Sequence, residues 1–235
     1  MKTLLLPFLL LLAPSLRAME EPPKPAAHTL QNIEGWKVHV DQRLLEGEGK
    51  PVGDEALKLL GSRLHDIVII LPADKVARLR EVPIWLDLTH GGLRAAQYHP
   101  EAEWLKENGY DTAMARCVQI PDARRFIEPA NQHKQPWMML HELAHAYHDQ
   151  VLGFDHAGVM KAYEAFRASG KYEKALHIAG HTTRHYGLTD QKEFFSEMTE
   201  AYFGINDFFP FHRADLMIYE PGIYALMKEL WGPVP

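Results

Sequence analysis

Residues 141–149 read His-Glu-Leu-Ala-His-Ala-Tyr-His-Asp, and no other segment restricts the fold so tightly. On a helix, positions i and i+4 lie one above the other on the same face. His141 and His145 can therefore grip one metal ion, and Glu142 beside them can reach a water at that ion. Local sequence supports the helix. Pro136 suits a first helical position, Trp137, Leu140, Leu143, Ala144 and Tyr147 recur at helical spacing, and Gly153 offers a left-handed stop. A catalytic zinc site needs a third protein ligand and one open position.

The third ligand is expected downstream. In residues 186–204, Thr189 or Asp190 can cap a second helix and Gly204 can end it. Glu193, Glu197 and Glu200 fall at i, i+4 and i+7, on one stripe. Phe194, Phe195, Met198, Ala201, Tyr202 and Phe203 cover much of the remaining circumference, so this helix reads as buried. Carboxylates inside a buried helix are costly unless they are paired or bind metal. Ligating histidines also need an acceptor for their other ring nitrogen. Glu193 as ligand, with Glu197 one turn on holding His141, meets both needs. The reverse order, with Glu197 as ligand and Glu200 or Glu193 behind it, is the alternative.

Taken together, HELAHAYHD and YGLTDQKEFFSE resemble the anthrax lethal factor catalytic domain and the related secreted Pro-Pro endopeptidases, zinc metallopeptidases of the Glu-zincin kind. The resemblance implies His141, His145 and Glu193 as Zn²⁺ ligands and Glu142 as general base. It implies Glu197 as the residue supporting the ligands, and Tyr186 as the phenol that stabilises the oxyanion. The likeness is confined to these two segments, so it implies nothing about substrate sequence. Metzincins are excluded by spacing, because His148 stands at their glycine position and Val151 where their third ligand belongs. His148 itself is expected at a solvated helix end.

Lys2 precedes an apolar run over residues 4–12, followed by small residues up to Ala18. Residues 1–18 are therefore expected to be a secretory signal peptide, and residues 19–29, rich in Pro, Glu and Ala, a flexible leader. The signal carries two basic and no acidic residues, so its removal takes the net charge from −6 to −8. An acidic chain without a basic cluster argues against nucleic acid and anionic membranes as partners. Cys117 is the single cysteine, flanked by apolar residues, and is expected in a buried strand. An exported chain without disulfides must rely on its core, which one domain over residues 30–235 can supply.

The remainder maps as α+β. Strands are expected at residues 36–40, 67–71 and 83–88, extended segments at 94–98 and 116–120, and helices at 54–63, 73–81 and 101–108. A small twisted sheet, then the metal helix and a mostly helical C-terminal half, is the arrangement of a zincin. An edge strand there can accept a peptide by strand addition. Residues 116–120 are the first candidate for that edge and 94–98 the second. Phe208, Phe209 and Phe211 are expected to pack in the core. The expected function is that of a secreted, monomeric zinc endopeptidase acting on peptide or protein substrates. Two alternatives are a zinc hydrolase of a non-peptide amide, such as a cell-wall component, and a catalytically silent metal-binding module.

Overall fold

The computed structural model describes residues 21–234; the expected signal peptide lies outside them. Among the described residues, no helix is long and apolar enough to cross a membrane. The fold is α+β, a five-stranded mixed sheet with helices around it.

Strands β1 (His28–Ile33) and β2 (Trp36–Asp41) form an antiparallel hairpin closed by Glu34 and Gly35, both at positive φ. Such a two-residue turn matches the natural twist of paired strands. On β2, Trp36, Val38 and Val40 are fully buried while Lys37 faces solvent. Strand β3 (Ile84–Leu86) adds in parallel, and its Ile-Trp-Leu sequence is buried throughout, as expected of a strand covered on both faces. The parallel crossover runs through α1 (Lys50–Ile70) and α2 (Ala73–Leu79). Strand β5 (Cys117–Ile120) pairs in parallel with β3, and β4 (Gln97–His99) pairs antiparallel with β5. Cys117 is buried, as expected.

Three expectations are corrected here. Residues 67–71 are no strand: all but Leu71 belong to α1, which is longer than the expected 54–63. The buried positions Ala56, Leu60, Leu64 and Ile67 keep one helical stripe, and this periodicity outweighs the β-branched composition of the run. Pro72 then stops the helix. Residues 116–120 cannot be the open edge, because β5 lies between β3 and β4; the cleft-side edge is β4, which overlaps the second candidate at Gln97 and Tyr98. The leader over 19–29 is not loose throughout. The Pro23 carbonyl accepts from Thr89 Oγ1 at 2.8 Å, Lys24 Nζ donates to the Gly109 carbonyl at 2.6 Å, and β1 already begins at His28. His28 is tied through Nε2 to the buried Asp87 carboxylate at 2.7 Å, which also binds His90 and Gln119.

Beyond the sheet lie α3 (Ala102–Glu107), α4 (Ala123–Ile127), α5 (Pro129–Lys134) and α6 (Met138–Tyr147). They are followed by α7 (Ala157–Ala168), α8 (Gln191–Phe203), α9 (Arg213–Tyr219) and α10 (Pro221–Trp231). A short hairpin of β6 (Ala175–Leu176) and β7 (Thr182–Thr183) precedes α8. Helix α6 is buried on nearly every side, touching β4 and β5 on one flank and α8 on the other. The indole of Trp231 in α10 seals this pair, stacked 4.2 Å from the Tyr147 ring and donating to Thr199 Oγ1 at 3.0 Å. Gly204 after α8 is needed for room. A Cβ there would run into the indole of Trp137 at the start of α6.

Gly204→Ala should therefore force Trp137 out of its place and cost about 1–3 kcal/mol. For a domain of this size the melting temperature should fall by about 3–10 °C. Combining it with Trp137→Phe should recover part of that loss, as thermal unfolding followed by circular dichroism would show.

Candidate metal centre

Helix α6 presents His141 and His145 from consecutive turns. Helix α8 meets them from the other side, its start fixed by Asp190, whose Oδ1 accepts from the Lys192 and Glu193 backbone N–H groups at 2.8 and 3.0 Å. Of the two expected caps, Asp190 makes these bonds. The crossing brings three atoms to one point. His141 Nε2 lies 3.1 Å from Glu193 Oε2 and 3.1 Å from His145 Nε2, and His145 Nε2 lies 3.3 Å from Glu193 Oε2.

This triangle fits a metal ion on chemical grounds. A tetrahedral zinc with bonds of about 2.1 Å sets its ligand atoms about 3.4 Å apart. Two imidazole nitrogens aimed at each other at 3.1 Å share at most one proton, whereas a cation between them satisfies both. His141, His145 and Glu193 could thus hold a metal ion.

The other ring nitrogen of His141 settles which carboxylate supports it. His141 Nδ1 lies 2.7 Å from Glu200 Oε1 but 3.9 Å from Glu197 Oε1. The expected support by Glu197 is therefore corrected to Glu200. Helix geometry supplies the reason: at 3.6 residues per turn, Glu200 is rotated only about 20° from Glu193, and Glu197 about 40° the other way. The His141 ring lies along the line joining Glu193 and Glu200. Glu197 is fully buried beside Asn206, Asp207 and His185, and neither of its oxygens meets a hydrogen-bond partner among the described residues. Burial, reinforced by Asp207 and Glu200, holds its carboxyl well above the usual range.

Glu142 points from α6 toward the sheet edge, where its Oε2 accepts from the Tyr98 backbone N–H at 2.9 Å. Burial, helped by the charges of Glu193 and Glu200 against that of His141, pushes its carboxyl up to about 7. A divalent cation in the triangle would draw it back down. The edge strand is clasped to the same helix by a second contact. The Tyr98 hydroxyl donates to Asp149 Oδ2 at 2.6 Å and accepts from Gln150 Nε2 at 3.0 Å. Both partners lie in a π-helical turn, His148–Leu152, that extends α6. His148, expected at a solvated end, is instead fully buried against Phe154 and Phe195. Burial holds its imidazole down at about 3.

Tyr186 opens a short 3₁₀ turn ahead of α8, remains 46% exposed and lines the same cavity as the triangle. Its neighbour His185 turns inward, stacks on Phe208 and accepts from the Gly187 backbone N–H at 2.9 Å. His181 lies exposed on the small hairpin, stacked on His177, which does line the cavity. Phe208 is buried, as expected, and also reaches the cavity wall. The cavity holds about 670 Å³ and runs from Gln97 and Tyr98 on the edge strand past the triangle to Asp207. Sequence reasoning placed Tyr98 only within the second candidate edge and gave no role to Asp149 or Asp207. Only the short range from Asp149 to the metal helix could have signalled one of them.

No protein-family model matches this chain, and no curated protein or solved structure resembles it closely enough to count as a match.

Two consequences are measurable. Glu200→Gln should weaken metal affinity about 10–100-fold by weakening the hold on His141 Nδ1, whereas Glu197→Gln, at a carboxyl 3.9 Å from that nitrogen, should change it less. The carboxylates of Glu193 and Glu200 overcome burial and raise the His141 imidazole well above its usual value. Metal must displace that proton. Calorimetry in buffers of different ionisation enthalpy should show proton release near neutral pH, with affinity falling as pH is lowered.

Proposed function

We propose that this chain is a zinc-dependent endopeptidase with a zincin-like fold, exported by the N-terminal signal and acting on peptide or protein substrates. One observation carries the proposal: three ligand atoms 3.1–3.3 Å apart, with a buried glutamate beside them hydrogen-bonded to an open sheet edge. A purely structural metal site needs neither the glutamate nor the edge, nor a vacant side facing a cavity. The paired-motif resemblance to lethal-factor-like peptidases supports the same conclusion.

Each residue then has a task. His141, His145 and Glu193 would hold the ion, and Glu200 would fix the His141 ring. When bound there, zinc supplies Lewis-acid polarisation of the scissile carbonyl and acidifies the attacking water. Among the described residues strand β4 is paired with another strand on one side only, so an extended peptide can pair along its other side, beside the Tyr98 N–H that Glu142 holds, and lay its carbonyl across the cavity. Glu142 takes the proton from the attacking water and delivers it to the leaving amine. Burial raises this carboxyl and a bound cation would lower it again, opposing pulls that keep it within reach of both steps near neutral pH. The Tyr186 hydroxyl, at the cavity mouth, donates to the developing oxyanion.

Two substitutions test these assignments. Glu142→Gln should keep the fold and the metal while lowering turnover of a peptide pool by several orders of magnitude. An active Glu142→Gln enzyme would end the peptidase proposal. Tyr186→Phe should lower kcat about 10²–10³-fold with KM and metal content little changed. An unchanged kcat would remove Tyr186 from the chemistry.

A further inference from the structure

The chain is acidic overall, with a formal net charge of −6, yet the cavity at the metal centre has cations in its lining. Arg94 precedes β4, Arg125 lies on α4 and Lys134 ends α5. All three line the cavity and are exposed. Among the described residues, none of the three has a carboxylate oxygen within 4.0 Å. Elsewhere, Arg63, Arg78 and Arg184 do find such partners, Asp66, Glu81 and Glu173, at 3.3–3.5 Å. Lys192, which also lines the cavity, is paired with Asp190 at 3.5 Å and is not counted here.

These cations are placed to meet something in the cavity. Arg94 is anchored, its Nη1 donating to the Gly91 and Leu93 carbonyls at 2.9 Å each, so the guanidinium is held at the edge strand. Arg125 and Lys134 belong to the short helices of one wall. Lys134 stands close enough to His177 that its charge, after burial and His181, helps hold that imidazole below its usual value.

Four carboxylates also line the cavity. Glu142 and Glu193 belong to the metal centre, and Asp122 Oδ1 caps α4 by accepting from the Arg125 backbone N–H at 3.1 Å. Asp207 is raised to about 7 by burial and by Glu200. Outside the metal centre, the three unpaired cations outnumber Asp122 and Asp207, so the lining carries an excess of positive charge inside a cleft that concentrates the field.

We propose that the cleft selects acidic peptide segments, with Asp or Glu side chains near the scissile bond met by Arg94, Arg125 and Lys134. This specificity rests on the peptidase proposal above, and it narrows the substrate class. A bidentate guanidinium–carboxylate contact supplies direction at Arg94 and Arg125, while Lys134 supplies charge alone. The acidic outer surface disfavours such substrates everywhere except at this cleft, which sharpens the choice.

The test separates binding from turnover. A random-sequence peptide library is passed over immobilised, zinc-loaded Glu142→Gln protein, and retained peptides are sequenced. Asp and Glu should be enriched about three- to tenfold over the input. The enrichment should shrink at roughly 0.5 M salt. It should vanish in the same protein carrying Arg125→Glu and Lys134→Glu, whose exposed positions leave the circular dichroism spectrum unchanged. No retention, no acidic enrichment, or enrichment that survives the charge swap would each overturn the proposal. The same library is then incubated with the unsubstituted enzyme. Acidic retention without cleavage would sink the peptidase proposal and leave the charge selection of the cleft standing. Cleavage without acidic preference would do the reverse.

Discussion

The structure of the site depends on the clamp around one imidazole. His141 is gripped between Glu193 at Nε2 and Glu200 at Nδ1, so two residues of α8 fix the ring of a residue on α6. A histidine ring has two distinct nitrogens, and what binds one decides what the other offers. With Nδ1 engaged by Glu200, Nε2 is directed to the point where His145 and Glu193 also aim. The packing of the two helices must hold that alignment to a fraction of an ångström. The close approach of Gly204 to Trp137 and the seal formed by Trp231 serve this purpose.

Burying so many acids is expensive, and the molecule meets the cost in three different ways. Glu193 is held below the usual carboxylate range because two imidazoles outweigh its burial. Glu197, fully buried near Asp207 and Glu200, is pushed well above the usual carboxylate range, which disfavours its charged form instead of pairing it. Glu142 lies between these limits, its charge moderated by one backbone N–H from the edge strand. Similar side chains within one small region are thus given different protonation states by burial and neighbours. That separation is what acid–base chemistry near a metal requires.

Much of this was legible in the sequence, for identifiable reasons. The i, i+4 pair of His141 and His145 and the acidic stripe on an otherwise apolar helix depend only on helical periodicity, and both motifs lie where periodicity placed them. Buried β3 and the α+β class followed from patterns of the same kind. What failed needed information that periodicity lacks. Choosing Glu200 over Glu197 depends on the angle at which α8 crosses α6, a tertiary quantity. The burial of His148 depends on Phe154 and Phe195 closing over a turn that a sequence places at a helix end. The run at 67–71 is β-branched in composition, but Ile67 continues the buried stripe of α1. Which strand would form the open edge could not be read at all, because the chain order of β4 and β5 does not reveal their order in the sheet.

The central claim, a four-coordinate site built by His141, His145 and Glu193, is open to one direct measurement. X-ray absorption at the zinc edge of the zinc-loaded protein reports ligand types and distances without reference to activity. The account predicts one zinc per chain with two imidazole nitrogens and carboxylate oxygen at about 2.0–2.1 Å, plus one further light atom. A sulfur shell near 2.3 Å would contradict it, since the only thiol, Cys117, lies in β5 outside the site. So would a shell with fewer than two imidazoles, or a loss of signal on dialysis that Glu193→Ala leaves unchanged.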